Sequence, residues 1–123
     1  THWNSDFDNA ANKRFMDAWQ KKYGSDRIPT YYASQAYDTA LAIASALRAT
    51  KGDLADKEKF RAAMLKADFE SVRGRFKFNT NQHPIQDWYS TSVDKSGDGA
   101  LSIKTGKNVF ENHGDAYAKE CKL

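Results

Sequence analysis

Tyr31-Tyr32-Ala33-Ser34-Gln35-Ala36-Tyr37-Asp38, running on into Thr39-Ala40-Leu41-Ala42-Ile43-Ala44-Ser45-Ala46-Leu47, is the stretch on which the reading of this chain turns. It starts as an aromatic-rich loop and continues as a nearly uncharged helix, apolar on most of its circumference. A helix of that kind has to be covered by protein on several sides. The spacing predicts a helix from near Ser34 to just before Gly52. Ala36, Ala40, Ile43, Ala44 and Leu47 form one face, extended by Tyr37 and Leu41, and the small alanines permit close packing.

Upstream, Ala11, Phe15, Trp19 and Tyr23 recur at four-residue steps and are joined by Met16, the stripe of an amphipathic helix over 8–23 that Gly24 ends. Gly24 to Thr30 breaks the periodicity, and Pro29 biases Ile28 towards extended backbone. Downstream, Asp56 caps a third helix with Phe60, Ala63, Met64 and Ala67 on one side and Lys57, Glu58, Lys59, Arg61 and Lys66 left to solvent. The pattern then changes to period two at Arg75-Phe76-Lys77-Phe78. Turn chemistry follows at Asn79 to Pro84, then an aromatic and β-branched run from Ile85 to Val93. The polar, glycine-rich Asp94 to Gly99 leads into Ala100 to Lys104, so an antiparallel hairpin is expected there. A short terminal helix is predicted from Gly114 or Asp115. Trp19, Tyr23, Tyr37, Phe76 and Phe78 are assigned to packing.

The chain has 123 residues, 40% of them hydrophobic and 28% charged, which places it among globular rather than disordered or fibrous sequences. Its 19 basic residues outnumber the 16 acidic ones by little and are dispersed, which argues against a nucleic-acid partner. No run approaches the roughly 20 apolar residues that span a bilayer, and Thr1-His2-Trp3-Asn4 lacks the layout of a signal peptide. Three apolar helix faces stand against two or three modest strands. With the unpaired Cys121 and the abrupt start at His2-Trp3, this favours a fragment whose parallel sheets are encoded upstream. Cys121 is then a free thiol or pairs with a cysteine on another piece of chain.

No catalytic constellation emerges. The sequence contains no nucleophile elbow, phosphate-binding glycine loop or dinucleotide fingerprint, so an enzyme is not expected. His2, His83 and His113 have no metal-ligand spacing with one another or with Cys121 and read as structural or solvent-facing. Asp94 to Gly99 resembles the first half of a calcium loop, but the twelfth position is Thr105, which cannot supply the bidentate carboxylate, so a plain turn is the reading. The pairs Asp6 with Asp8 and Glu111 with Asp115 read as acids at helix starts. Neither a metal nor a cofactor is expected. What remains is aromatic density at Trp3, Tyr31, Tyr32, Trp88 and Tyr89, suited to a pocket for a small organic ligand that needs stacking and a hydrogen bond.

Four segments in order carry a resemblance: Asn9 to Phe15, Tyr32 to Ala40, Phe69-Glu70-Ser71-Val72-Arg73-Gly74-Arg75-Phe76-Lys77-Phe78, and His83-Pro84-Ile85-Gln86-Asp87-Trp88-Tyr89. Together with the ending Asp115 to Lys122, they resemble the C-terminal third of the periplasmic solute-binding proteins of ABC importers, in the branched-chain amino-acid receptor family. The resemblance covers essentially the whole chain. It implies an α/β fold, the C-terminal fragment of a two-lobed type I periplasmic-binding protein with three helices, then short strands with a hairpin and a terminal helix. Residues 1–85 would belong to the helical first lobe, with Thr1 to Asn4 at a hinge crossing, and residues 86–123 would supply a crossover strand and part of the second lobe. The implied function is an extracytoplasmic, periplasmic receptor that closes about its hinge on an amino acid or a small organic acid, aromatic acids included. Its implied partners are that ligand, an ABC permease in the inner membrane and the remaining N-terminal part of the same protein.

By position, Tyr32 matches the place of an aromatic ring against the ligand's side chain in leucine-type receptors. Trp3, with His2 and Asn4 beside it, matches a stretch near the cleft mouth, and Tyr31 and Gln35 are neighbours of Tyr32. Two other readings stay open at this point: a self-contained α+β module whose aromatics bind a protein, and the ligand-sensing domain of a signalling receptor.

Overall fold

The computed structural model describes residues 1–121, so Lys122, the last residue of the family-like ending, lies outside the described residues, as does Leu123. Helix α1 spans Ala10–Tyr23. Asn9 is its N-cap, its side chain accepting from the Asn12 N–H, and Lys21 and Lys22 sit at the negative end of the helix dipole. Gly24 terminates the helix at φ 91°, ψ 160°, a conformation reserved for glycine. Helix α2 spans Tyr31–Ala49 and α3 spans Lys57–Leu65, the latter capped by Asp56 accepting from the Lys59 N–H. Strands β1 (Phe76–Phe78), β2 (Pro84–Lys95) and β3 (Leu101–His113) form one antiparallel sheet in the order β1-β2-β3.

Two expectations need correction, the start of α2 and the terminal helix. Helix α2 begins at Tyr31, so the tyrosine pair occupies its first turn instead of a preceding loop. Its inward face is Ser34, Asp38, Ala42, Ser45 and Ala46, whereas Ala36, Ala40 and Ile43 are exposed. Periodicity located the helix, and of the apolar face it marked Tyr37, Leu41, Ala44 and Leu47 are half-buried within this chain. A buried ionic cluster, described below, draws the polar stripe inwards and leaves the rest of that face uncovered. The expected terminal helix is a single 3₁₀ turn, Ala118–Glu120.

The hairpin runs longer than its sequence signal. Val93 pairs with Ile103 and Lys95 with Leu101, and β3 continues past Gly106 to His113, where it meets Gln86. Register shifts between Gln86 and Thr91 accommodate the extra residues. Asp98 accepts from the Ser96 hydroxyl and the Ala100 N–H inside the connecting turn.

The core is small: Trp3, Ala11, Phe15 and Val72, with Phe7, Met16, Trp19, Ala33 and Tyr37 packed around them. Tyr23, assigned from sequence to packing, is 41% exposed, with its ring against Trp19 on one side and the Lys22 ammonium over it. Val93, Leu101, Ile103, Val109 and Phe110 on the hairpin and Leu54 near α3 are exposed as well. The accessible surface is 8673 Å², against about 6,700 Å² for a compact monomer of this mass. These elements therefore do not close a single core among themselves, and a self-contained module loses its physical basis.

Candidate functional site

Thr1 exchanges both backbone hydrogen bonds with Tyr89 of β2, each 2.7 Å, so the first residues run along the sheet before turning into α1. Trp3 then enters the core. Its ring meets Phe15 edge-on, and its indole N–H donates to Asn12 Oδ1 at 2.8 Å. Asn12 is itself buried and donates to the carbonyls of Ser5 and Phe7, which fixes this turn of chain. Asn4 and Asp6 reach the other way, to the hairpin. Asn4 Nδ2 donates to the Ile103 carbonyl at 3.0 Å, and Asp6 accepts from the Thr105 N–H at 3.0 Å and the Thr105 hydroxyl at 2.5 Å. Burial alone would raise the Asp6 carboxyl, but the Thr105 bonds outweigh it and leave the pKa lowered. The sequence reading of Asp6 as a helix-start acid is thus corrected: it anchors β3. Asp8 pairs with Lys13 of α1, while Glu111 faces Arg75 and Asp115 accepts from Asn81.

Between this segment, the Ile28-Pro29-Thr30 turn, the start of α2 and the hairpin lies a cavity of about 590 Å³. Trp3, Asn4, Tyr31 and Tyr32, four of the six residues singled out from sequence, line it. Tyr32 is 66% exposed, and its ring stands 4.1 Å from that of Tyr31. The Tyr32 hydroxyl raises the Tyr31 pKa, so Tyr31 remains a neutral phenol. Leu101 and Ile103 face them from β3, with Lys104 beside them. The N-cap Thr30 makes no side-chain cap bond, so the positive end of the 19-residue α2 opens on the cavity.

His2 and Gln35 stand behind this lining. The His2 imidazole is buried, in contact with the Gln35 side chain at 3.2 Å and edge-on to Tyr31 and Trp88. Burial lowers its pKa to about 4, helped by Arg73 and opposed by Asp38. His2 therefore supports Tyr31 as a neutral ring, and Gln35 supports His2.

A buried ionic cluster lies next to His2. Asp38 is 1% exposed and accepts from the Ser71 hydroxyl at 2.6 Å, the Val72 N–H at 3.0 Å and Arg73 Nε at 2.9 Å. Arg73 continues to Gln86 Oε1 at 3.0 Å and lies over the Phe76 ring. The cluster joins α2, the 71–74 turn and β2, and so sets the angle at which α2 presents its tyrosines. Sequence reasoning missed it, along with the apolar wall of Ile28, Leu101 and Ile103. One signal was available: Asp38 is the only charge between Tyr31 and Leu47.

Comparison with known proteins gives two matches. Residues 1–98 match the model of a family described as periplasmic binding protein. The chain also superposes, with a TM-score of 0.82 and 30% identity, on the crystal structure of an ABC-transporter solute-binding protein from R. palustris in complex with benzoate. The match covers 99% of this chain and 32% of that one, so the chain spans about a third of the length of the structure it matches. No curated protein matches it.

Proposed function

The chain belongs to the periplasmic binding protein family, and from that premise we propose that it is part of a periplasmic solute receptor serving an ABC importer. In this reading residues 1–85 belong to the first lobe and residues 86–123 supply a crossover strand and part of the second. The ligand is a small carboxylate, either an aromatic organic acid or an amino acid, gripped between the lobes. The observation that carries the reading is the cavity of about 590 Å³ with Tyr31 and Tyr32 on one wall and the hairpin on the other. Its volume falls in the range of small-molecule sites, and its aromatic lining suits a ring or an apolar side chain. The R. palustris relative was crystallised with benzoate, a ligand of that class. The family is one of binding proteins, and no covalent chemistry is invoked.

Ligand that touches α2 on one side and the hairpin on the other makes more contacts in a closed state than in an open one. That difference shifts the hinge equilibrium, and the closed form would be the one an inner-membrane permease engages. A thermal-shift screen of the full-length protein against aromatic acids and amino acids tests the reading, because a binder of the native state raises the melting temperature. Stabilisation by at least one class is expected, with Tyr32→Ala weakening that ligand roughly tenfold while the fold is kept. No stabilisation by either class would overturn the ligand assignment, and unchanged affinity in Tyr32→Ala would remove this wall from the site.

A further inference from the structure

We propose that His2 is a positioning residue, a buried neutral ring that holds Tyr31, and through Tyr31 holds Tyr32, in the orientation that meets the ligand, an inference resting on the reading of the two tyrosines as one wall of the cleft. The His2 ring is 8% exposed and stands edge-on to two others, 5.8 Å from Tyr31 of α2 and 5.4 Å from Trp88 of β2. Its Nε2 lies 3.2 Å from Gln35 Nε2. Tyr31 and Gln35 are four residues apart and share one side of α2, so His2 fits against the head of that helix. Thr1 is bonded in both directions to Tyr89, which fixes the other side of His2 to β2. Additional chain can bring these groups further neighbours, but it cannot expose a ring that is already buried here.

The polar contacts require the ring to be neutral. An amide nitrogen only donates, so Nε2 accepts from Gln35 and the ring carries its single proton on Nδ1. An imidazolium would set N–H against N–H and would stand desolvated near the Arg73 guanidinium. Burial and Arg73 accordingly lower the His2 pKa, with Asp38 opposing them. Tyr31, the other titratable group against the ring, is a neutral phenol, and β2 presents the uncharged indole of Trp88.

Tyr31 needs such a support. It is 42% exposed, its ring stands 4.1 Å from that of Tyr32, which is 66% exposed, and neither belongs to the core cluster. Rings free to turn lose that freedom when a ligand orders them, and the loss weakens binding. A ring already held by His2 avoids most of it.

Titration calorimetry on the full-length protein at pH 7, with benzoate and phenylalanine as probes, tests this. The wild type should bind at least one of them, and Tyr31→Ala should weaken it. His2→Ala should weaken the same probe roughly 3- to 10-fold, whereas His2→Phe, which keeps a ring against Tyr31 and Trp88, should stay within about twofold of the wild type. In the Tyr31→Ala background His2→Ala should have no further effect, because a residue that acts through Tyr31 loses its effect with it. Circular dichroism at the measuring temperature checks that each variant is folded, and His2→Gln, which also lacks a ring, replaces His2→Ala if that one is not. Unchanged affinity in His2→Ala, an equal loss in His2→Phe, or the same loss in both backgrounds would overturn the role of His2 and leave the cleft reading standing. A wild type that binds neither probe, or a Tyr31→Ala protein that binds like the wild type, would instead overturn the reading of the wall, and this inference with it.

Discussion

Asp38 brings its carboxyl group into an interior where Arg73 is its ionic partner and the Ser71 hydroxyl and Val72 N–H complete its hydrogen bonding. A buried pair of this kind is weak evidence of net stabilisation, but breaking it leaves the other charge desolvated and alone. Asp38→Ala should therefore cost about 3–5 kcal/mol, read as a lower denaturation midpoint at unchanged slope. A loss below about 1 kcal/mol would mean that water reaches Arg73 easily and that the cluster does not hold α2. His2 gives a pH dependence whose sign is fixed by its lowered pKa. The unfolded chain binds the proton near pH 6.5 and the folded one only near 4, so protonation favours unfolding and stability falls as the pH drops across that interval. Denaturant melts between pH 4 and 7 should show the slope, and His2→Gln should flatten it; the same slope in both proteins would trace it to another group. Neither role could be read from residue type. A lone aspartate in an uncharged helix and a histidine near a tryptophan gain their meaning from neighbours 33 to 35 positions away.

Among the elements, the helices and the hairpin differ in how far local sequence governs them. Helix α1 is specified by its apolar stripe, the Asn9 cap and the Gly24 stop. At Gly24 an added Cβ would meet Asp26 Oδ1 at 2.6 Å, in a conformation that other residues avoid. Gly24→Ala should accordingly destabilise by about 1–3 kcal/mol. Equilibrium unfolding measures it, and a neutral result would show that the end of α1 can refit without glycine. Helix α2 was legible as a helix but not in its orientation, because a helix apolar nearly all round carries no single preferred side. Polar pairing inside made the choice. The hairpin was legible at its turn, whereas the length of β3 came from pairing with β2 across bulges that no local signal marks.

For the molecule as a whole, accessible surface roughly 2,000 Å² beyond that of a compact monomer is concentrated on the outer face of α2, on α3 and along the hairpin. Such faces are partner-seeking surfaces. A preparation of residues 1–123 alone should bind the dye ANS strongly, and absence of ANS fluorescence would mean that these faces find cover within 123 residues. By itself the sequence determined the existence of three helices and an antiparallel hairpin, the family resemblance, and the aromatic pair at the head of α2, because periodicity, caps and turn residues act over a few positions. Only the tertiary structure decided which face of α2 turns inward, that His2 and Gln35 stand behind the cavity instead of lining it, and that Leu101 and Ile103 of β3 line one cavity with the tyrosines of α2. Those facts depend on charges and strands far apart in the chain being brought within bonding distance, and that proximity has no local signature.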